Sequence, residues 1–331
     1  MTHTLPFADI TLPSPGFGAM GMSHHRGPSN DEESLKTLAR AVELGCTFWD
    51  TATIYGYGLN EELIGRFLRE SGVDREKLFI SSKCGFPIDF EKREQTGPVT
   101  NSKAHINEFI EGSTARLGTV PDLYYLHRID ANTPLEESIG ALDGLKKAGK
   151  CKYIGLSECS ADTLRKACSI AHIDALQIEY SPWCLDHEND GVIDAARELG
   201  VTIIAYSPLG RGVLTGKFRD ASLFQGPNDN RGTIPKYGAE MLPANLRLVD
   251  ELEAIAKTKG CSVGQLCIAW VAAMGAIPIP GTKRVDRLEE NWASRDVELT
   301  KEDLDKIRGI ITASAPQGAR YGEASLRQIG N

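Results

Sequence analysis

Asp50, Tyr55, Lys83 and His127 supply an acid, a phenol, an amine and an imidazole, and three of them follow short apolar runs. The runs are Cys46-Thr47-Phe48-Trp49 before Asp50, Leu78-Phe79-Ile80-Ser81-Ser82 before Lys83, and Leu123-Tyr124-Tyr125-Leu126 before His127. Such runs read as buried strands, and residues at parallel strand ends collect on the face where α/β folds carry out their chemistry. A free phenol has a pKa of about 10, too high to exchange protons readily at neutral pH. An ammonium about 4 Å away favours the phenolate by up to ~4 kcal/mol at an effective dielectric of 20, or ~3 pKa units. Lys83 is therefore expected to lower the Tyr55 pKa. Asp50 would keep Lys83 charged and in place, and His127 would hydrogen-bond a reacting oxygen and help shuttle the proton. The bland alternative is an Asp50–Lys83 ion pair beside two packing residues.

The elements that must position these groups alternate along the chain. Candidate strands end at Phe17, Asp50, Ser82, Leu126, Leu156, Ile178, Ala205 and Ile279. Between them, helix-like segments run over 31–44 behind a cap at Ser29 or Asn30, and over 102–117 behind Asn101. Further segments cover 135–148, 161–170 and 192–199. Repeated βα units with no long flexible linker predict an α/β fold, a closed (β/α)8 TIM barrel forming one domain over 1–331. An N-terminal β-hairpin cap and an extra C-terminal helix over 301–312 complete the expected architecture. The polar, Gly/Pro-rich stretch 218–238 is too long for an ordinary connection and reads as a loop near the active mouth.

Composition narrows the function classes. The 331 residues carry 37 Lys+Arg against 45 Asp+Glu, a net charge of −8, so no overall positive field attracts nucleic acid or an anionic membrane. No run approaches ~18 apolar residues, and the first residues lack the basic start and apolar stretch of a signal peptide. The 8 cysteines are scattered without a Cys-x-x-Cys pair, which favours reduced thiols in a cytoplasmic protein over disulfides or zinc. Cys84 adjoins Lys83 and reads as a redox-sensitive thiolate or, more simply, a buried thiol.

Two motifs mislead. Gly16-x-Gly18-x-x-Gly21 matches the dinucleotide fingerprint, but His24-His25-Arg26-Gly27-Pro28 stands where the helix should open. Gly212-x-x-x-Gly216-Lys217 is one residue short of a P-loop, and Phe218 replaces the magnesium-binding hydroxyl. His3, His24, His25, His105, His172 and His187 lack ligand-spaced partners and read as surface or packing residues.

Phe48-Trp49-Asp50-Thr51-Ala52, Tyr55-Gly56, Ser81-Ser82-Lys83 and Tyr125-Leu126-His127-Arg128 together resemble the aldo-keto reductase superfamily. The resemblance continues in order through Gly155-Leu156-Ser157, Gln177-Ile178-Glu179-Tyr180-Ser181, Tyr206-Ser207-Pro208-Leu209-Gly210-Arg211-Gly212 and Ile279-Pro280-Gly281-Thr282. It is strongest with the bacterial and fungal branch containing pyridoxal and aryl-aldehyde reductases, which the Gly18-Ala19-Met20-Gly21-Met22-Ser23 loop also resembles. The resemblance implies NADPH-dependent reduction of aldehyde or ketone carbonyls without a metal, with Asp50, Tyr55, Lys83 and His127 as the catalytic tetrad. It favours Tyr55 over the neighbouring Tyr57 as the acid.

By the same resemblance, Tyr206 would stack on the nicotinamide while Ser157 and Gln177 hold its carboxamide. The loop of Ser207, Pro208, Leu209, Gly210, Arg211 and Gly212 would meet the pyrophosphate, and Glu290 and Asn291 the adenine. Glu158 stands where many relatives carry Asn, leaving its carboxamide contact open. Lys283, Arg284 and Arg287, beside Gly281 and Thr282, form a cationic group after a strand and at a helix start, which suits the 2′-phosphate of NADP(H). The other reading is a solvated basic turn. Phe17, Met22, Trp49, Phe86 and Trp183 read equally as substrate pocket or core. Competing functions are an NADPH-binding regulatory subunit, like the potassium-channel β subunits that share this fold, and a sugar or alcohol dehydrogenase. Turnover of a simple aryl aldehyde discriminates the first of these from an enzyme.

Overall fold

The computed structural model describes residues 3–23, 29–224, 226 and 229–321; His24 and His25 lie outside this set. Eight parallel strands follow one another around a single sheet. They are β1 Phe17–Gly18, β2 Phe48–Asp50, β3 Phe79–Cys84, β4 Leu123–Leu126, β5 Tyr153–Ser157, β6 Ala175–Glu179, β7 Thr202–Tyr206 and β8 Ile277–Ile279. The sheet closes where Gly16 N donates to Pro278 O at 2.9 Å, Gly18 N donates to Pro280 O at 3.2 Å, and Gly18 pairs with Gly281. A Cβ on Gly18 would sit 2.9 Å from the Ile279 backbone oxygen, so the seam requires glycine there. Gly16 and Gly18 of the misleading fingerprint thus serve barrel closure. Gly21 lies in a 3₁₀ turn, Met20–Met22, and the next helix among the described residues begins at Asp31.

The helices are α1 Asp31–Leu44, α2 Leu59–Ser71, α3 Lys103–Leu117, α4 Leu135–Lys147, α5 Ala161–Ile170, α6 Val192–Glu198, α7 Leu242–Lys259, α8 Val263–Ala273, α9 Val285–Trp292 and α10 Lys301–Ala313. A single turn, Asp186–Asn189, precedes α6. Asn30 caps α1 by accepting from Glu33 N at 3.2 Å. The cap of α3 is Ser102 and not the expected Asn101, because Asn101 Oδ1 accepts from Asp130 N at 2.7 Å and is committed to the loop after β4.

Alternation within the strands divides the core. Phe48, Phe79, Leu123, Tyr125, Ala175, Ile204, Ile277 and Ile279 fill the barrel, and the N-terminal hairpin Thr4–Phe7/Ile10–Pro13 adds Phe7 and Leu12 to that cluster. Phe7 packs on Phe79 and Tyr153 near the starts of their strands, so the hairpin plugs the barrel at the end opposite the tetrad. The outward faces of the strands pack on the helices. Phe17, Met22, Trp49 and Trp183 are each at most 1% exposed and belong to this core, which decides between their two readings. Phe86 alone of that set stays half-buried.

Candidate active site

Strand ends bring the tetrad together. Lys83 lies near the end of β3, 1% exposed, and its Nζ donates to Asp50 Oδ1 at 2.5 Å, Thr51 O at 2.8 Å and Tyr55 OH at 3.3 Å. Asp50 ends β2 and spends its other oxygen on Ser81 Oγ at 2.7 Å and Gln177 Nε2 at 2.8 Å. Both carboxylate oxygens are therefore satisfied, as a buried charge requires.

Tyr55 stands on a tight loop pinned at both ends. Thr53 N donates to Lys83 O at 3.1 Å, and Asn60 Nδ2 donates to Ala19 O at 2.9 Å. Gly56 turns with φ 58°, and a Cβ there would come within 2.6 Å of Ser23 Cβ, which explains the Tyr-Gly pair. His127 follows β4, its ring edge-on to Tyr55 at 5.8 Å and to Phe86 at 5.2 Å between centroids.

The electrostatics correct one expectation. Burial pushes the Tyr55 phenol above its usual value, and the opposing charge of Lys83 reduces the shift without reversing it. Tyr55 is thus a neutral hydroxyl at physiological pH, the form that can donate a proton. Burial pulls Lys83 down, yet the charge of Asp50 and the contacts to Tyr55 raise it net, so the ammonium persists. Cys84 is 1% exposed, and burial pushes its thiol up to about 12, which makes it inert rather than redox-sensitive.

From Asp50 and Tyr55 a cleft of ≈ 270 Å³ extends along Tyr206, Ser207, Pro208, Leu209, Arg211 and Gly212 to Gly281, Thr282, Lys283, Arg287, Glu290 and Asn291. Its loop after β7 is unusual: Ser207, Gly210, Arg211 and Gly212 all have φ between 52° and 102°. Holding two non-glycine residues left-handed costs roughly 1–2 kcal/mol each. Offsetting contacts hold Arg211: its guanidinium pairs with Glu179 at 3.4 Å, and its carbonyl accepts from Arg231 at 3.1 Å.

Four anticipated cofactor residues are not part of the cleft lining. Gln177 supports Asp50, Ser157 Oγ accepts from Arg128 at 3.4 Å, Gly210 is buried, and exposed Arg284 is clamped by Asp286 at 2.7 Å. Lining residues not anticipated include Met20, Thr215, Lys217, Phe218, Arg231 and Gly264. The discarded P-loop-like motif and the Phe218 that follows it contained three of them, Thr215, Lys217 and Phe218; Lys217 Nζ reaches Glu290 Oε2 at 3.4 Å, linking two parts of the lining. Of the described residues in the 218–238 stretch, Phe218 and Arg231 line the cleft; three short 3₁₀ turns lie among them, and Arg231 stands between Phe218 and Phe224 at 4.5 Å from each ring.

A second buried network borders the site. Glu158 sits at φ 56°; its oxygens accept from Glu179 N at 2.8 Å, Arg320 at 2.7 Å and His187 Nε2 at 3.3 Å. His187 also meets Asp190 at 2.7 Å, so its reading as a bland histidine is corrected. Burial opposes its charge, but Asp190 and Glu158 raise its pKa to about 9. Tyr321 OH lies 2.6 Å from Tyr206 OH, bringing the end of the described chain onto the cleft wall.

The model of the Aldo/keto reductase family matches residues 16–312. The chain belongs to this family. Carbonyl reduction is the general chemistry that membership supports. Among relatives, an aldo-keto reductase of Gibberella moniliformis is 52% identical over 334 residues, covering 100% of each chain. "Aldo-keto reductase yakc [NADP(+)]" of Schizosaccharomyces pombe is 42% identical over 96% of this chain and 94% of that protein. The solved glycerol dehydrogenase AKR11B4 from Gluconobacter oxydans superposes with a TM-score of 0.86 at 25% identity, covering 96% and 98% of the two chains. No helix among the described residues of this family member is long and apolar enough to cross a membrane.

Proposed function

We propose that the protein reduces aldehyde or ketone carbonyls to alcohols with NADPH. The observation that carries this reading is the buried Asp50–Lys83–Tyr55 chain at the head of a cleft that ends in Lys283 and Arg287. In this reading Tyr55 donates the proton to the carbonyl oxygen, Lys83 stabilises the phenolate left behind, and Asp50 holds Lys83 charged. His127 orients the carbonyl oxygen toward Tyr55.

The cleft suits a dinucleotide phosphate on its own features. The left-handed turns after β7 and the close approach of Gly18 and Gly281 open backbone at its floor. Half-buried Lys283 and exposed Arg287 stand at the start of α9, where cations and free helix amides favour phosphate. Bound NADPH would supply the hydride. The NADP(+) designation of the fission yeast relative supports the choice of the phosphorylated cofactor.

Following the loss of NADPH absorbance with a panel of aryl aldehydes tests the reaction: turnover is expected, and binding without turnover throughout the panel would overturn it. Titrating both cofactors tests the phosphate site. NADPH is expected to bind at least about tenfold tighter than NADH, with the gap narrowed in Lys283→Ala; equal affinities would refute the assignment.

A further inference from the structure

Arg128 is a cation beside His127 that the proposed reaction does not use. It follows His127 directly and is half-buried. One terminal nitrogen is fixed, donating to His127 O at 2.6 Å and Ser157 Oγ at 3.4 Å. Its Nε and other terminal nitrogen donate to none of the described residues, and no carboxylate among them forms an ion pair with it.

The neighbouring carboxylates are already committed. Asp50 has Lys83, Glu179 has Arg211, and Glu158 has Arg320 and His187. The buried arginines Arg211, Arg231 and Arg320 each hold a carboxylate. Arg128 therefore differs from them in a specific way: it is oriented by neutral acceptors, and half of its donor fork is left over. Tyr55, Tyr206, Tyr321 and Glu158 all lie close enough to feel its charge. A partly desolvated guanidinium is costly unless an anion pairs with it, and its planar fork matches a carboxylate.

We propose that Arg128 binds a carboxylate on the substrate, so that the enzyme selects carbonyl compounds that also bear an acid group. This rests on the carbonyl-reductase reading of the same site. Its role is recognition: the guanidinium anchors the far end of a molecule whose carbonyl meets Tyr55 and His127.

The test compares 2-, 3- and 4-formylbenzoate with their methyl esters, which keep the aldehyde and remove the charge. At least one acid is expected to exceed its ester about tenfold in kcat/KM. Arg128→Gln is expected to reduce that acid-to-ester ratio about tenfold, and Arg128→Lys to restore part of it. Rising salt should raise the KM of the acid more than that of the ester in the native enzyme, a readout independent of variant folding. Ratios near one for all three isomers, or a ratio unchanged in Arg128→Gln, would overturn the proposal. So would a loss confined to NADPH affinity, which would assign Arg128 to the cofactor. If neither acids nor esters turn over, the carbonyl-reductase reading itself fails. Calorimetric titration of acid and ester into the NADPH-loaded protein then reads carboxylate binding alone, and equal affinities would reject it.

Discussion

Lys83 is the hub of the proposed site, because it is the buried cation shared between Tyr55 and Asp50. Its three acceptors, Asp50, Thr51 O and Tyr55, leave it no freedom to serve as a surface charge. Asp50→Asn leaves that ammonium without its counterion in a buried setting. A loss of about 3–5 kcal/mol in unfolding free energy is expected by denaturant titration, against ~1 kcal/mol for an exposed pair. The raised pKa of Tyr55 also sets a pH dependence. In the proposed reduction the phenol donates, so its protonated form must persist, and kcat/KM for the aldehyde should show no Tyr55 limb below about pH 10. A fall centred near pH 7 with the same group assigned to it would mean that Lys83 outweighs burial after all. The sequence did reveal which residues meet, through their places after apolar runs. It did not reveal the sign of the Tyr55 shift, because the cost of burying a phenolate depends on how completely the loop closes around it.

At the scale of elements, strands were legible and several helices were not. Each strand ends within two residues of its expected position, since a short apolar run between polar segments has few alternatives in a barrel. Helix α8, Val-Gly-Gln-Leu-Cys-Ile-Ala-Trp-Val-Ala-Ala, is buried nearly all round and offers no polar stripe to mark its period. Helix α2 opens behind Gly58 without a side-chain cap, and α7 begins with Leu242-Pro243 after irregular turns. The same contextual limit hid the role of His187, whose buried partner Glu158 lies far away in sequence and itself depends on Arg320. Barrel closure is the element-level feature most open to test. Gly18→Ala would drive a Cβ against the Ile279 backbone, which cannot swing away as a side chain could. A loss of about 1–3 kcal/mol in stability is expected, together with weaker NADPH binding, because Gly18 also lines the cleft. Native stability and affinity in that variant would contradict the seam described here.

Across the whole molecule, the Glu158–His187–Asp190 network ties the mouth of the barrel to the chain's last described turn through Arg320. Its pH signature follows from His187. The folded pKa of about 9 lies above the ordinary value near 6.5, so its stabilisation is complete below pH 6.5 and is lost as pH rises through 9. The contribution is up to about 3 kcal/mol. Unfolding free energy should therefore decline between those limits in the native protein and stay flatter in His187→Gln; parallel curves would contradict the network. The barrel, its hairpin plug and this network together hold one phenol at the head of one cleft. The most direct measurement is Tyr55→Phe, assayed for NADPH oxidation with an aryl aldehyde and for NADPH binding by fluorescence. The expected result is a fall in kcat of about 10²–10⁴-fold with cofactor affinity within about twofold of native. Turnover retained at the native rate would show that Tyr55 is not the acid.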